Sequence, residues 1–177
     1  MILDRDGVIN RDSKDFVKTA EEWIPLAGSI DAIAALSRAG YAIAVASNQS
    51  GLARGLFKQA ALDEMHEKLR SLVAKAGGRI DHIAICPHGP DDECDCRKPQ
   101  PGLYRQIAKH FAVDLAGVPA IGDSLRDLEA AASAGATPVL VRTGNGQKTE
   151  TQLSVALESV ARFDDLAAVA RSILQEA

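Results

Sequence analysis

The stretch Met1-Ile2-Leu3-Asp4-Arg5-Asp6-Gly7-Val8-Ile9-Asn10 decides how the chain is read: an apolar run stops on two carboxylates two residues apart, and a glycine follows. A short apolar run closed by glycine reads as a strand ending in a sharp turn. Four more runs of the same kind lie downstream, at Tyr41 to Ala46, Ile80 to Ile85, Pro119 to Ile121 and Pro138 to Val141. They are continuously apolar, as expected of strands covered on both faces, and they alternate with amphipathic stretches. The spacing of Leu62, Met65, Leu69, Leu72 and Val73 predicts a helix between Lys58 and Ala76, ended by Gly77-Gly78, with Met65 and His66 as ordinary parts of it. Further helices are predicted from Ser29, as N-cap, to Gly40, from Leu103 to Phe111, from Arg126 to Ala134 and from Leu166 to Leu174. The rhythm is α/β, a Rossmann-like parallel sheet with helices on both faces.

With 177 residues, 46% hydrophobic and 25% charged, the chain fits one domain with a single core. A formal net charge of -4 provides no field for a polyanion, so nucleic acid is disfavoured as a partner. No run approaches a membrane span and Met1 to Leu3 leads straight into Asp4, so the expectation is a cytoplasmic protein without a membrane partner, and a monomer.

The unusual polar residues each follow a strand. Asp4 and Asp6 follow the first, Ser47 and Asn48 the second, a Cys/His loop with Lys98 the third, and Asp123 the fourth. In open parallel sheets ligands bind outside the carboxyl ends of the strands, so these groups are expected to meet in one crevice. Asp4, Asp6 and Asp123 would repel one another without a cation, and hard oxygen ligands suit magnesium.

All three cysteines lie in one loop, and Cys86, His88, Cys94 and Cys96 form C-x-H-x5-C-x-C. Three thiolates and one imidazole make a closed tetrahedral zinc site, although the spacing is tighter than in common zinc fingers and leaves free thiols as the alternative.

Asp4-Arg5-Asp6-Gly7-x-x-Asn10 resembles the first motif of the haloacid dehalogenase-like hydrolases. That resemblance implies that Asp4 attacks phosphorus and that Asp6 protonates the leaving oxygen and then activates water. It implies a phosphate contact at Ser47, a charge-offsetting cation at Lys98, and magnesium held by Asp4, Asp6 and Asp123. A carboxylate acting as an acid needs a raised pKa, and crowding by Asp4 is one source. Gly122-Asp123-Ser124-x-x-Asp127 resembles the fourth motif, with Asp127 as support in the first turn of a helix.

The loop ahead of Arg97-Lys98 is similar to the zinc loop of the branch holding heptose bisphosphate phosphatases and histidinol-phosphate phosphatases. No cap domain is inserted, only a flap at about Arg11 to Trp23. Ser47-Asn48-Gln49-Ser50-Gly51-Leu52-Ala53-Arg54, Cys96-Arg97-Lys98-Pro99-Gln100-Pro101-Gly102 and Val141-Arg142-Thr143-Gly144 resemble the heptose enzymes. The resemblance implies a phosphorylated sugar as substrate, with Asn48, Gln49, Ser50, Arg54, Arg97 and Ser124 as contacts, Arg54 suiting a second phosphate. Ser124 is a departure, since many relatives in that branch carry lysine there. A histidinol-phosphate or broad sugar-phosphate phosphatase, a polynucleotide 3′-phosphatase and a non-catalytic zinc-stabilised module are the competing readings.

Overall fold

The computed structural model describes residues 1–176. Strands β1 (Ile2–Leu3), β2 (Ala44–Asn48), β3 (His82–Cys86), β4 (Pro119–Gly122), β5 (Thr137–Val141) and β6 (Ala161–Phe163) form one sheet in the order β3-β2-β1-β4-β5-β6, every neighbouring pair parallel. Helices α1 (Ser29–Arg38), α2 (Gln59–Lys75), α3 (Gly102–Phe111), α4 (Leu125–Ser133), α5 (Gly146–Glu150) and α6 (Leu166–Glu176) connect them.

Strand β1 is only two residues long but pairs on both edges. Ile2 lies opposite Ala44 and Ala120, and Leu3 opposite Val45 and Ile121. Side chains alternate along a strand, so these two residues feed different cores. Leu3, Val45 and Ile121 pack with Ile33 and Leu36 of α1, Leu62, Met65 and Leu69 of α2 and Val169 of α6. Ile2, Ala44, Ala46 and Ala120 face Leu103, Tyr104 and Ile107 of α3 and Ala130 and Ala131 of α4. The alanine-rich face lets α3 and α4 approach the sheet closely. Truncating a fully buried residue such as Leu3 to alanine is worth about 2 to 5 kcal/mol in this setting.

The five expected strands and five expected helices are present, with shifted bounds. Strand β2 starts at Ala44, not Tyr41, because its only partners upstream are the two residues of β1 and the paired end of β3. Ser29 is the first helical residue, not the N-cap: Gly28, at φ 74°, takes that place, and the Ser29 hydroxyl donates to the Ile9 (2.7 Å) and Leu26 (2.9 Å) carbonyls. Helix α5 and strand β6 were not anticipated.

Between β1 and α1, residues 11–28 form neither a helix nor a strand of the sheet and lie as a flap. Fully buried Trp23 anchors it, and Lys68 Nζ donates to the Trp23 carbonyl at 2.8 Å. No cap domain covers the sheet among the described residues.

Candidate active site

Strand order reverses between β1 and β4, and their carboxyl ends carry Asp4 and Asp123. The Asp4 amide donates to the Ile121 carbonyl at 2.9 Å, extending the ladder one residue and fixing the height at which its carboxylate leaves the sheet. Lys98, 2% exposed, reaches this point from the loop after β3. Its Nζ donates to Asp4 Oδ1 at 2.8 Å and to the Ala46 carbonyl at 2.8 Å, and it pairs with Asp127 Oδ1 at 2.6 Å. Burial alone would lower the lysine pKa, but the Asp127 and Asp4 charges outweigh it, so Lys98 stays cationic. The Asn48 side chain clamps the Lys98 main chain at both ends: Nδ2 donates to the Lys98 carbonyl and Oδ1 accepts from its amide, each at 3.1 Å. The strand-end asparagine thus orients the lysine.

Asp6 is placed differently from the expectation. Its carboxylate takes a fork from Arg5, with Nε to Oδ2 at 3.1 Å and Nη2 to Oδ1 at 3.0 Å, and also accepts from Asn10 Nδ2 (2.8 Å) and Gln49 Nε2 (2.9 Å). Burial pushes its pKa up, yet the Arg5 charge and the hydrogen bonds from Asn10, Arg5 and Gln49 hold it below the usual aspartate value. Crowding by Asp4 therefore does not set its proton affinity here. Gln49 also donates to Ser47 Oγ at 2.7 Å, so it couples Ser47 to Asp6 and does not line the crevice itself.

The carboxylates whose oxygens lie within 4.8 Å of one another are Asp4, Asp123 and Asp127. Asp127 is already satisfied by Lys98 and by Ser124, whose amide and hydroxyl donate to its Oδ2 at 3.0 and 2.5 Å in a capping box at the start of α4. Burial drives Asp4 up to about 7, with Lys98 opposing the rise and Asp127 and Asp6 adding to it. Burial also raises Asp123 to about 8, with the Asp4 and Asp127 charges as further causes. Two carboxylates this reluctant to ionise side by side fit a divalent cation, and an octahedral magnesium with oxygens at about 2.1 Å spaces its ligands about 3 to 4.2 Å apart.

Asp123 sits in a cradle of glycines. A Cβ on Gly7 or on Gly144 would lie 2.1 Å from its Oδ2. Asn145 closes the cradle by donating its amide to Oδ2 at 2.7 Å, and Thr143 Oγ1 ties the loop to the Gly7 carbonyl at 2.6 Å. Gly144 belonged to a stretch read only as branch similarity, and Asn145 carried no signal of its own.

Cys86, His88, Cys94 and Cys96 converge, with sulfur separations of 3.2, 3.6 and 3.7 Å and His88 Nδ1 at 3.3 and 3.6 Å from Cys96 and Cys86. Tetrahedral zinc with bonds of about 2.3 Å places its sulfurs about 3.8 Å apart, so the donor set fits that ion. The separations are far beyond a disulfide bond, and the cysteines are unpaired. Burial raises Cys86 and Cys96. At Cys94 the Arg97 amide and the neighbouring thiols outweigh burial and bring the thiol to about 7.

The crevice holds about 290 Å³, and Asp4, Asp6, Ser47, Asn48, Ser50 and Asp123 line it together with Arg54, Arg97 and Lys98. Arg54 is exposed and stands over the Phe16 ring of the flap, 5.7 Å from the centroid. Ser124 is not among the lining residues, its hydroxyl being held by Asp127. Asp12, Ser13 and Phe16 of the flap, Arg126 and Asp127 of α4 and Asn145 complete the walls, and of these only Asp127 was singled out beforehand.

A family described as HAD-hydrolase-like matches residues 95–169, and one described as polynucleotide kinase 3 phosphatase matches residues 2–123. The D-glycero-beta-D-manno-heptose-1,7-bisphosphate 7-phosphatase of Bordetella bronchiseptica is 58% identical over 177 residues, covering 100% of this chain and 98% of that one. The chain belongs to the HAD-like hydrolase family. The heptose bisphosphate 7-phosphatase of Pseudomonas putida is 57% identical to this HAD-like hydrolase, over 98% of each chain. A crystal structure of the B. bronchiseptica heptose bisphosphate phosphatase complexed with magnesium and phosphate superimposes with a TM-score of 0.97, over 100% of this chain and 98% of that one.

Proposed function

We propose that this HAD-like hydrolase removes the 7-phosphate of D-glycero-D-manno-heptose 1,7-bisphosphate through an aspartyl-phosphate on Asp4, in the route to the activated heptose of lipopolysaccharide core. The observation that carries it is Asp4 beside Lys98 and Asp123 in an open crevice of the right size for one phosphorylated sugar, in a chain similar from end to end to phosphatases of that name.

Asp4 attacks phosphorus as the bond to the sugar oxygen breaks, and Asp6 gives that oxygen its proton. Asp6 then takes a proton from the water that attacks the Asp4 acyl phosphate, regenerating the carboxylate and releasing phosphate. Asp6 starts with a low proton affinity, but a phosphoryl dianion entering beside it adds negative charge and raises that affinity at the moment an acid is needed. Ser47 and Lys98 contact the phosphoryl oxygens, and Asn48 and Gln49 support them from behind. Asp4 and Asp123 would hold a magnesium ion, which when bound would neutralise the phosphate charge. Cys86, His88, Cys94 and Cys96 would hold a zinc ion, which when bound would fix the loop that delivers Arg97 and Lys98.

The reading places the enzyme in the cytoplasm as a monomer acting on a small substrate. Among the described residues no helix is long and apolar enough to cross a membrane. A polynucleotide 3′-phosphatase is the second reading, favoured by the match over residues 2–123, while the net charge of -4 speaks against it. Phosphate release from the heptose bisphosphate, histidinol phosphate and a 3′-phosphorylated oligonucleotide compares the readings. A preference for the heptose bisphosphate of at least tenfold in kcat/KM is expected, and a preference for either alternative overturns the proposal.

A further inference from the structure

We infer that Asp12 of the flap is a positioning residue for the magnesium site: it holds the Asn145 side-chain amide and, through that amide, sets the Asp123 carboxylate for its cation. The inference rests on the metal reading within the proposed function.

The loop after β5 meets the segment leaving β1 at two places, on either side of Asp123. At one, Thr143 Oγ1 donates to the Gly7 carbonyl at 2.6 Å. At the other, Asn145 Nδ2 donates to Asp12 Oδ2 at 3.1 Å. The same nitrogen donates to Asp123 Oδ2 at 3.3 Å, and the Asn145 main-chain amide donates to that oxygen at 2.7 Å. One primary amide, with a hydrogen for each acceptor, thus bridges a flap carboxylate and a carboxylate of the metal site. Charge fixes its orientation, because the flipped amide would set its oxygen against both carboxylates. The other Asp12 oxygen is also assigned: Oδ1 accepts from the Ser13 amide at 2.8 Å, so the side chain is held from both sides.

This arrangement bears on Asp123. A single main-chain donor fixes the position of Oδ2 but lets the carboxylate pivot about it. A second donor on the same oxygen removes the pivot. Among the described residues every hydrogen bond that the Asp123 side chain accepts falls on Oδ2, which leaves Oδ1 for a cation. Magnesium demands near-ideal octahedral geometry, so a small rotation of a ligand carboxylate weakens its binding. Asp12 is exposed, and its bare charge is screened at Asp123, which makes the amide the stronger route between them. Asp12, Ser13 and Phe16 also line the crevice, so the flap wall is held in register with the metal ligand by the same contact.

The test is calorimetric titration of the full chain with magnesium chloride at pH 8.5, without substrate. In Asp12→Ala magnesium should bind about fivefold more weakly, as for loss of one hydrogen bond on a charged acceptor. Asp12→Asn keeps an acceptor oxygen and loses the charge, and it should bind within about twofold of the parent. Asn145→Ala reaches the same amide from the other loop and keeps the main-chain donor. It should reproduce the loss seen in Asp12→Ala, and the double variant should lose nothing further. Unchanged affinity in Asp12→Ala overturns the inference while leaving the metal site standing. Equal losses in Asp12→Asn and Asp12→Ala, additive with that of Asn145→Ala, overturn it as well, because Asp12 would then act by charge alone. Absence of magnesium binding by the parent protein instead removes the metal reading, and the inference with it.

Discussion

Lys98 Nζ lies 2.8 Å from Asp4 Oδ1 and 2.6 Å from Asp127 Oδ1, so one buried ammonium bridges two carboxylates that arrive from β1 and α4. Because all three groups are out of solvent, removing the cation leaves uncompensated charge that the fold cannot hydrate. Lys98→Met should therefore lower stability by about 3 kcal/mol or more at pH 8 as well as abolish turnover. Urea unfolding followed by fluorescence of Trp23 checks the first part. A variant that is inactive but as stable as the parent would mean that the lysine serves only the substrate.

Magnesium affinity should depend on pH with a defined sign. Burial and the neighbouring carboxylates hold Asp4 and Asp123 above the ordinary aspartate value, at about 7 and about 8, so protons compete with the cation below that range. Binding measured by calorimetry should tighten as pH rises from 6 to 8.5 and should release protons, seen as a heat that changes with the ionisation enthalpy of the buffer. Affinity independent of pH across this interval contradicts the placement of these two carboxylates around the ion.

The cysteine loop ends on the residues that the crevice needs. Cys96→Ala is expected to reduce zinc, measured by elemental analysis, from about one equivalent per chain to near zero, because three protein ligands no longer close the tetrahedron. It should also lower kcat/KM on the order of a hundredfold through displacement of Lys98. Full activity in zinc-free protein would separate the loop from catalysis.

Much of this was legible from residue order because the informative groups stand directly after apolar runs. Asp4, Ser47, Lys98 and Asp123 meet where a parallel sheet must bring them, and the four zinc-type ligands lie within eleven residues. Other parts depend on side chains that fold inward against expectation. Arg5 carried no signal of its own, yet it is 1% exposed and its fork holds the Asp6 carboxylate at the crevice wall, outside the Asp4, Asp123 and Asp127 group. Gln49 and Asn48 were expected as substrate contacts, while their amides bond to Asp6, Ser47 and Lys98 and only Asn48 also lines the crevice. Strand β6, Ala161-Arg162-Phe163, is an edge strand with a charge at its centre, and α5 is a five-residue helix opening on glycine. Neither has an apolar period to detect.

Gly144→Ala probes the cradle around Asp123. The added methyl would lie 2.1 Å from Asp123 Oδ2, and φ at this position is 56°, so both contact and backbone conformation oppose the substitution. The magnesium concentration for half-maximal activity should rise about tenfold or more. A normal metal requirement would show that Asp123 can shift without consequence.

The direct test of the account is the rate of phosphate release by Asp4→Asn, with folding and zinc content verified on the same sample. The change keeps the shape of the side chain but removes the nucleophilic oxygen, and the rate is predicted to fall by at least about a thousandfold. A residual rate within tenfold of the parent would show that the phosphoryl group never passes through residue 4.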